Sequence, residues 1–377
     1  MKKKSLFFIM FCFFSFLISP AQNLKQPALD YLNQLNKPQS IKIFNPLPHL
    51  PPINQDTTNA CWSFSTLSFV ESEMLRLGRP AVRLAVMYPV YFAFVEKARR
   101  FVQTRGESRF APGDLFTGVL GIIKQYGIVP MQAYKGQTRT CSTFNHTLLE
   151  KELQQLMRQV KELQIWDEDL VVAKIRQILD KHLGAPPQTF EFEGKKYTPV
   201  SFRNEVVNLP WDEYLMVTSF MYAPFYQFTE LKVPDNWGHN NRYFNVPLDV
   251  FYEALKMAVQ KGYTVGFDSD TGEPGRIGEV DAVFVPPFDI PSPFINQEAR
   301  EFRFNNHSTT DDHLMHIIGY KQIDGQDWFL VKDSWRSAWL GQFKGYYFFH
   351  GDYIKLKVLA YVVHRDAVPT ITEKIGE

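Results

Sequence analysis

A cysteine lies at the end of a short polar run, Gln55-Asp56-Thr57-Thr58-Asn59-Ala60-Cys61-Trp62. A thiol attacks carbonyl groups as the thiolate, and the positive end of a helix dipole favours that form. Cys61 stands where the residue pattern predicts the start of a helix, so it is a candidate nucleophile. Gln55, six residues earlier, is a candidate donor to the oxyanion that such an attack creates. The alternative is that Cys61 is a small apolar residue of a buried helix, as most free cysteines are.

A candidate base for this cysteine is His313, within Asp311-Asp312-His313-Leu314-Met315-His316. Two apolar runs follow it, and Asp324-Gly325 between them predicts a β-hairpin. The second arm of that hairpin ends in Asp333-Ser334-Trp335, which should bring Asp333 back close to His313. A nucleophile, a base and a third polar group that orients the base make up a catalytic triad.

The helix that would position the cysteine is predicted from Ala60 to Leu77, with Asn59 as its N-cap and Gly78 as its stop. Other helices are predicted over 88–104, 115–126, 148–164, 170–183 and 248–261. After a hairpin at 190–197, strands are predicted near 263–267, 282–285, 316–320, 328–331, 345–349 and 356–363. Helices in the first part and antiparallel strands in the last third predict an α+β protein of two lobes with a cleft between them.

The first residues have the pattern of a secretory signal peptide. Lys2-Lys3-Lys4 precede an apolar run from Leu6 to Ile18, and Ser19-Pro20-Ala21 follows. We expect cleavage after Ala21, because the apolar run is shorter than a membrane-spanning helix requires. The expected location is therefore secreted or periplasmic, with no membrane contact after signal cleavage. Retention of the segment as an uncleaved anchor is the alternative.

Composition and charge narrow the classes of partner. The 377 residues are 45% hydrophobic and 15% aromatic, which suits a globular protein large enough for two domains. Loss of the three lysines in the signal changes the net charge from +1 to about −2, so neither nucleic acid nor an anionic membrane is an expected partner. Cys12 would leave with the signal. The remaining pair, Cys61 and Cys141, could form a disulfide that blocks the nucleophile, but we expect free thiols.

The motifs together resemble those of the papain-like cysteine peptidases, through Gln55, Cys61-Trp62, His313 and Asp333-Ser334-Trp335. Further stretches resemble one branch, the bleomycin hydrolase or aminopeptidase C family, over nearly all of the mature chain. These stretches are Val95-Glu96-Lys97-Ala98, Tyr126-Gly127-Ile128-Val129-Pro130, Lys196-Tyr197-Thr198-Pro199 and Val233-Pro234-Asp235-Asn236-Trp237. The resemblance implies an α+β, papain-like two-lobe fold, with a helical lobe, an antiparallel β-barrel-like lobe and a helical insertion.

The resemblance also implies the roles of individual residues. Cys61 would be the nucleophile, His313 the general base and then acid, Asp333 the residue that orients the imidazole, and Gln55 the oxyanion donor. Trp335 would shield the contact between His313 and Asp333. The implied function is a cysteine-type aminopeptidase that acts on peptides through a thioester acyl-enzyme, without a metal or other cofactor. The residues assigned to substrate binding are Trp335, Asp312, Asn59 and Glu377.

Two positions depart from the family pattern. The family's orienting residue is usually Asn within Asn-Ser-Trp-Gly, whereas here it is Asp333, and Arg336 replaces the Gly. The family also favours Gly near the cysteine, where this chain has Asn59-Ala60. A carboxylate accepts the imidazole N–H as an amide oxygen does, and its charge should raise the pKa of His313. From the sequence we therefore expect Asp333→Asn to retain much of the activity.

The expected organisation is a signal peptide at 1–21, an extended segment at 22–52, a helical lobe at 53–140, a helical insertion at 141–215, a β-rich lobe at 216–365 and a tail at 366–377. In the branch that the chain resembles, the C-terminal tail lies in the cleft and restricts cleavage to N-terminal residues. By that resemblance, the terminal carboxylate of Glu377 would face the amino group of the substrate. The same resemblance implies a homo-hexamer.

Three other functions remain open. Asp311, Asp312, His313 and His316 could ligate a metal, but their spacing matches no established metal motif and leaves Cys61 unexplained; we interpret His316 as structural. A transglutaminase-like acyl transferase would use the same Cys, His and Asp. A papain-like protein that binds peptides without cleaving them would fit the altered residues near Cys61.

Overall fold

The computed structural model describes residues 20–137 and 143–376, with side chains described from residue 24 onward. Most of the predicted signal peptide, Cys141 and Glu377 lie outside the described residues. The described α-helices are α1 Pro20–Gln34, α2 Cys61–Arg76, α3 Met87–Gln103, α4 Phe116–Tyr126, α5 Thr147–Glu162, α6 Glu168–Leu183, α7 Pro199–Phe202, α8 Leu248–Gln260, α9 Gln297–Asn305, α10 Gly351–Lys357 and α11 Pro369–Thr372. The described strands are β1 Phe190–Phe192, β2 Lys195–Tyr197, β3 Tyr214–Thr218, β4 Gln227–Thr229, β5 Tyr243–Asn245, β6 Val265–Ser269, β7 Arg276–Ile277, β8 Ala282–Val283, β9 His313–Ile323, β10 Gln326–Lys332, β11 Tyr346–His350 and β12 Val358–His364.

Helix α2 is buried between the other helices and the sheet, packing on α3, α4 and β9. It is one residue shorter at each end than predicted, and the predicted N-cap is wrong. Ala60 occupies the cap position without a side-chain hydrogen bond. The Asn59 side chain instead donates from Nδ2 to Glu150 Oε2 at 2.9 Å, because α5 offers a carboxylate beside it. The N–H groups of the first turn of α2 are thus left without a side-chain cap.

Helices α5 and α6 lie within residues 141–215, where the resemblance implies a helical insertion. They pack against each other, and α6 also packs on α3. Their apolar faces are buried in the same core as α2, α3 and α4, as Leu153, Ile175 and Leu179 illustrate. The charged residues lie on the opposite face, as amphipathic periodicity predicts.

The second lobe is built on a ten-stranded mixed sheet with the order β4-β5-β3-β12-β6-β9-β10-β11-β8-β7. The pairs β3 with β5 and β8 with β11 are parallel, whereas the other pairs are antiparallel. One face contributes Leu314 and Val362 to the helical core, and the other packs Met315 and Val363 around α8. The α+β fold with a helical and a β-rich part is confirmed. The barrel-like arrangement is not, because β4 and β7 are edges of an open order.

The hairpin of β9 and β10 has the predicted turn. Asp324 and Gly325 both adopt positive φ angles, of 48° and 79°, as a two-residue turn that matches the strand twist requires. Lys332 pairs with His316 in the register, which shifts once between Leu330 and Val331. The start of β9 and the end of β10 therefore lie side by side at one end of the sheet.

The extended segment predicted at 22–52 is wrong over residues 22–34, because α1 occupies Pro20–Gln34. Prolines and polar residues lower the helix propensity of this segment, but a helix with one apolar face can be stabilised by packing. Ala28 and Leu32 are buried in a small core with Ile318 and Trp328 of the central hairpin. This contact is made across nearly 300 residues of chain and is not visible in a local pattern.

Within residues 20–137 and 143–376, none of the helices combines the length and the apolar character needed to cross a membrane.

Candidate active site

Cys61 is the first residue of α2 and is half-buried at the edge of a cleft of about 470 Å³. His313, Gln55 and Trp335 line the same cleft. The sulfur is a free thiol, whereas Cys141, the possible disulfide partner, lies outside the described residues. At a helix start the first backbone N–H groups have no intrahelical acceptor, which leaves them available to an anion beside Cys61.

His313 begins β9, and Asp333 directly follows β10. His313 Nε2 lies 2.7 Å from Asp333 Oδ1, which leaves Nδ1 as the ring nitrogen for the cleft. Burial would lower the pKa of His313, but the charges of Asp333 and Cys61 and hydrogen bonds to both outweigh it and raise this pKa to about 10. The hairpin thus brings His313 and Asp333 together as predicted. The sulfur of Cys61 lies within hydrogen-bond range of the His313 ring.

Arg276, on β7, is a residue that sequence reasoning missed. Its Nη2 lies 2.7 Å from Asp333 Oδ2, and the side chains of the two residues are 10% and 0% exposed. Burial would raise the pKa of Asp333, but the positive charges of His313 and Arg276 hold it below its ordinary value. The site therefore contains a row of side chains that runs from Cys61 through His313 and Asp333 to Arg276, with the Asp333 carboxylate between two basic groups. In the sequence, the one indication of a cation beside this position was that Asp333, a charged residue, stands in place of the usual Asn.

Gln55 is only 1% exposed and is held from both ends of its amide. Its Nε2 donates to Thr58 O at 2.8 Å, and its Oε1 accepts from Ser334 Oγ at 2.7 Å. Its backbone N–H also donates to Ser334 O, at 2.9 Å. Ser334 follows Asp333 directly, so one short segment after β10 fixes both the histidine and the glutamine.

Trp335 completes this segment. Its ring lies edge-on to the His313 ring with 6.2 Å between centroids, and its backbone N–H donates to Asp333 Oδ1 at 2.8 Å. It covers the contact between His313 and Asp333. His316, three residues further along β9, is fully buried, and its Nδ1 lies 2.8 Å from Ser68 Oγ, away from the cleft.

The other residues assigned to substrate binding have different positions. Asn59 and Asp312 line the cleft, but Asn59 is bound to Glu150 as described. Asp312 Oδ2 accepts from Thr271 N at 3.2 Å and from Thr271 Oγ1 at 2.5 Å. Both are exposed.

The described part of the C-terminal tail, to residue 376, does not line the cleft. Ile371 is fully buried in the core around α8, and Ile375 lines a separate cavity of about 570 Å³ with Tyr214 and Arg242. The contact between the Glu377 carboxylate and the substrate stays a prediction, because Glu377 lies outside the described residues.

Comparisons with known proteins extend this description. The Peptidase C1-like family matches residues 21–377. Aminopeptidase C of Listeria monocytogenes is 26% identical over 259 residues, which span 58% of this chain and 58% of that protein. Aminopeptidase C of Lactobacillus delbrueckii subsp. lactis is 23% identical over 374 residues, which span 85% of this chain and 81% of that protein.

A solved structure shows the same fold. The crystal structure of PepW from Lactobacillus rhamnosis HN001 matches with a TM-score of 0.68 and 19% identity, covering 95% of this chain and 91% of that chain. The predicted papain-like fold and the resemblance to the aminopeptidase C branch are confirmed. With the family match running from residue 21 to residue 377, this chain belongs to the Peptidase C1-like family.

Proposed function

We propose that this protein is a cysteine peptidase that removes N-terminal residues from peptides, with Cys61 as nucleophile and His313 as acid and base. The row of ion pairs from His313 through Asp333 to Arg276, beside Cys61, is the observation that supports this proposal best. It stabilises the imidazolium, and an imidazolium beside a thiol stabilises the thiolate. The family and the relatives named as aminopeptidases support the same conclusion.

In the proposed reaction the Cys61 thiolate attacks the carbonyl carbon of the scissile bond. The carbonyl oxygen becomes an oxyanion, which Gln55 Nε2 and the backbone N–H of Cys61 would stabilise. One hydrogen of the Gln55 amide is committed to Thr58 O, and the second remains for the oxyanion. Because Ser334 fixes the other side of this amide, the donor is oriented before the substrate arrives.

His313 then donates its Nδ1 proton to the departing amine, and a thioester between Cys61 and the acyl part remains. A water molecule attacks the thioester while Nδ1 accepts a proton from it. The product acid leaves, and the thiolate and imidazolium are restored. Asp333 and Arg276 hold the ring in one orientation throughout, and no cofactor takes part.

A panel of peptides tests this function. With a thiol reductant present, we expect stepwise loss of residues from peptides with a free N-terminus and little cleavage of the same peptides after N-acetylation, measured by mass spectrometry. Alkylation with iodoacetamide should abolish cleavage, and treatment with a chelator should not. If Cys61 is alkylated readily but no peptide is cleaved, the protein is a binding protein and the proposal is wrong. A transferred acyl group in the presence of added amines would instead indicate acyl transfer.

Gln55→Ala should lower kcat by about 10²–10³-fold with little change in KM, because its amide contributes to the transition state more than to substrate binding. Steady-state kinetics on one N-terminally free peptide measure this. Ser334→Ala is the matched second variant: it keeps the donor but removes the hydroxyl that orients it, so a smaller loss in kcat is expected. A normal kcat in Gln55→Ala would exclude this residue from the oxyanion site.

The pH profile should show an extended alkaline range. The proton on His313 is required for expulsion of the amine, and the pKa of His313 is raised to about 10. As pH rises through that value the imidazolium is lost, so kcat at saturating peptide should fall only there, whereas kcat/KM also follows the α-amino group of the free substrate. Initial rates from about pH 6 to about pH 11, with return to neutral pH as the control for unfolding, measure this. An alkaline limb near the ordinary histidine pKa would contradict the charge arrangement described above.

A further inference from the structure

One wall of the cleft is acidic. Asp114, Asp235, Asp311 and Asp312 line it together with Cys61 and His313. Each of these carboxylates has a partner from the protein. Asp114 Oδ2 lies 4.0 Å from Lys97 Nζ, Asp235 Oδ1 lies 3.7 Å from Arg109 Nη2, and Asp312 accepts hydrogen bonds from Thr271 as described. Asp311 accepts a hydrogen bond from the backbone N–H of Asp235, but no basic side chain pairs with it in the described part of the chain.

Asp268 lies directly behind Asp311. It pairs with Leu314 across β6 and β9, and cross-strand neighbours project from the same face of a sheet. Leu314 lines the cleft, so Asp268 points towards the cleft wall. The carboxyl groups of Asp268 and Asp311 are close enough to hydrogen-bond to each other. We call these two residues the aspartate pair.

The aspartate pair lacks the positively charged partner that its burial demands. Asp268 is 1% exposed, and neither of its carboxyl oxygens has a hydrogen-bond donor from the rest of the described chain. Asp311 Oδ2 is likewise buried without a donor. Among residues 24–137 and 143–376, no lysine, arginine or histidine forms an ion pair with either residue. Buried carboxylates are normally paired, because an unpaired one is costly.

The electrostatics of the pair follow from this arrangement. Burial and the neighbouring Asp311 raise the pKa of Asp268 well above its ordinary value. Burial and the charge of Asp235 raise the pKa of Asp311 to about 7. A metal is not the obvious missing cation, since no set of three suitable ligands occurs in the described part of the chain.

We propose that Asp268 and Asp311 form a subsite for a positively charged amino group of the peptide substrate. The proposal rests on the peptidase function and adds the residues that select the substrate. An ammonium group carries three N–H donors and one positive charge, which match the free oxygens and the missing charge of the pair. Charge-assisted hydrogen bonds of this kind, made where water is excluded, are stronger than neutral ones.

The ammonium group has two sources in a peptide, the α-amino terminus and a lysine side chain. If the α-amino group binds here, the pair performs the N-terminal recognition that the sequence assigned to the C-terminal tail. The described tail packs around α8 and does not supply a carboxylate to the cleft. We favour the α-amino group, because recognition of it yields an aminopeptidase.

The test compares matched substrates on the wild type, Asp268→Asn and Asp311→Asn. The substrates are coumarin amides of one dipeptide with a free or an acetylated α-amino group, and an acetylated dipeptide that contains lysine or its uncharged isostere norleucine. In one of the two substrate pairs, each variant should lower kcat/KM for the ammonium-bearing substrate by at least about ten-fold relative to the neutral substrate. The pair of substrates that shows the loss identifies the source. An unchanged ratio for both pairs in both variants would overturn the proposal.

Controls separate this outcome from loss of folding and from failure of the peptidase function. Asp249→Asn removes one charge from the exposed start of α8, on the opposite face of the sheet, and should leave both ratios unchanged. The rate at which iodoacetamide alkylates Cys61 reports an intact site without turnover. Protection of Cys61 by a free dipeptide amide, but not by its acetylated form, should be lost in the two variants even if no substrate is cleaved. Equal protection by the free and acetylated forms, and by the lysine and norleucine peptides, in the wild type would also overturn the proposal.

Discussion

Cys61→Ala is expected to lower kcat by about 10⁶-fold, as removal of a nucleophile does in a triad that acts as a unit. The variant should still fold, because Cys61 is half-buried at a helix start and alanine is a good helix residue. Peptide binding should persist, because the cleft keeps its other lining residues. Steady-state and single-turnover rates on an N-terminally free peptide measure the loss.

Cys141→Ala is the matched control, since it removes the other cysteine of the predicted mature chain and no role in the reaction is assigned to it. It should keep the activity of the wild type, and its remaining thiol should still be alkylated with loss of activity. A Cys61→Ala protein that retained more than about a hundredth of the wild-type kcat would rule out covalent catalysis by this residue.

Asp333→Asn is expected to be far more harmful than the sequence suggested. Asp333 accepts from His313, from Arg276 and from the backbone N–H of Trp335. Asparagine has one acceptor oxygen and an NH₂ group. If its oxygen faces His313, its NH₂ meets the guanidinium of Arg276, and two donors oppose each other. The variant also leaves Arg276 buried without its counter-charge, which typically costs about 3–5 kcal/mol of stability.

A double-mutant cycle isolates this conflict. Asp333→Asn alone should lower kcat/KM by about 10²–10⁴-fold, the range that general acid–base catalysis contributes. Arg276→Gln alone should destabilise the protein, because it removes the cation beside Oδ2 of the buried Asp333 carboxylate and leaves only His313 beside Oδ1. In the double variant the Gln side chain can accept from the Asn amide, so both stability and activity should recover in part. The expected coupling in unfolding free energy is about 1–3 kcal/mol.

The measurements are urea unfolding and kcat/KM for the four proteins of the cycle. Arg303→Gln is a control for loss of a buried arginine, since Arg303 pairs with Glu273 and Asp289 and not with Asp333. It should not rescue Asp333→Asn. Strictly additive effects of the Arg276 and Asp333 changes would show that the ion pair does not support the histidine.

Local patterns predicted the elements that carry the site. The apolar spacing after Cys61 predicted α2, and Asp324-Gly325 predicted the hairpin that joins His313 to Asp333. Both are short-range features, in which backbone preference and side-chain period agree with the final structure. The same reasoning failed for Pro20–Gln34, which is helical because the central hairpin covers its apolar face.

The sequence by itself determined the nucleophile, the histidine, the aspartate and the glutamine as candidates, because their residue types and the adjacent turn and helix signals are local. Only the tertiary structure decided what surrounds them. Arg276 reaches Asp333 from another strand, and Asp268 stands beside Asp311 because β6 pairs with β9. A charge is stabilised or left unpaired by groups distant in the chain, so the electrostatics of this cleft depend on strand pairing and burial rather than on any motif.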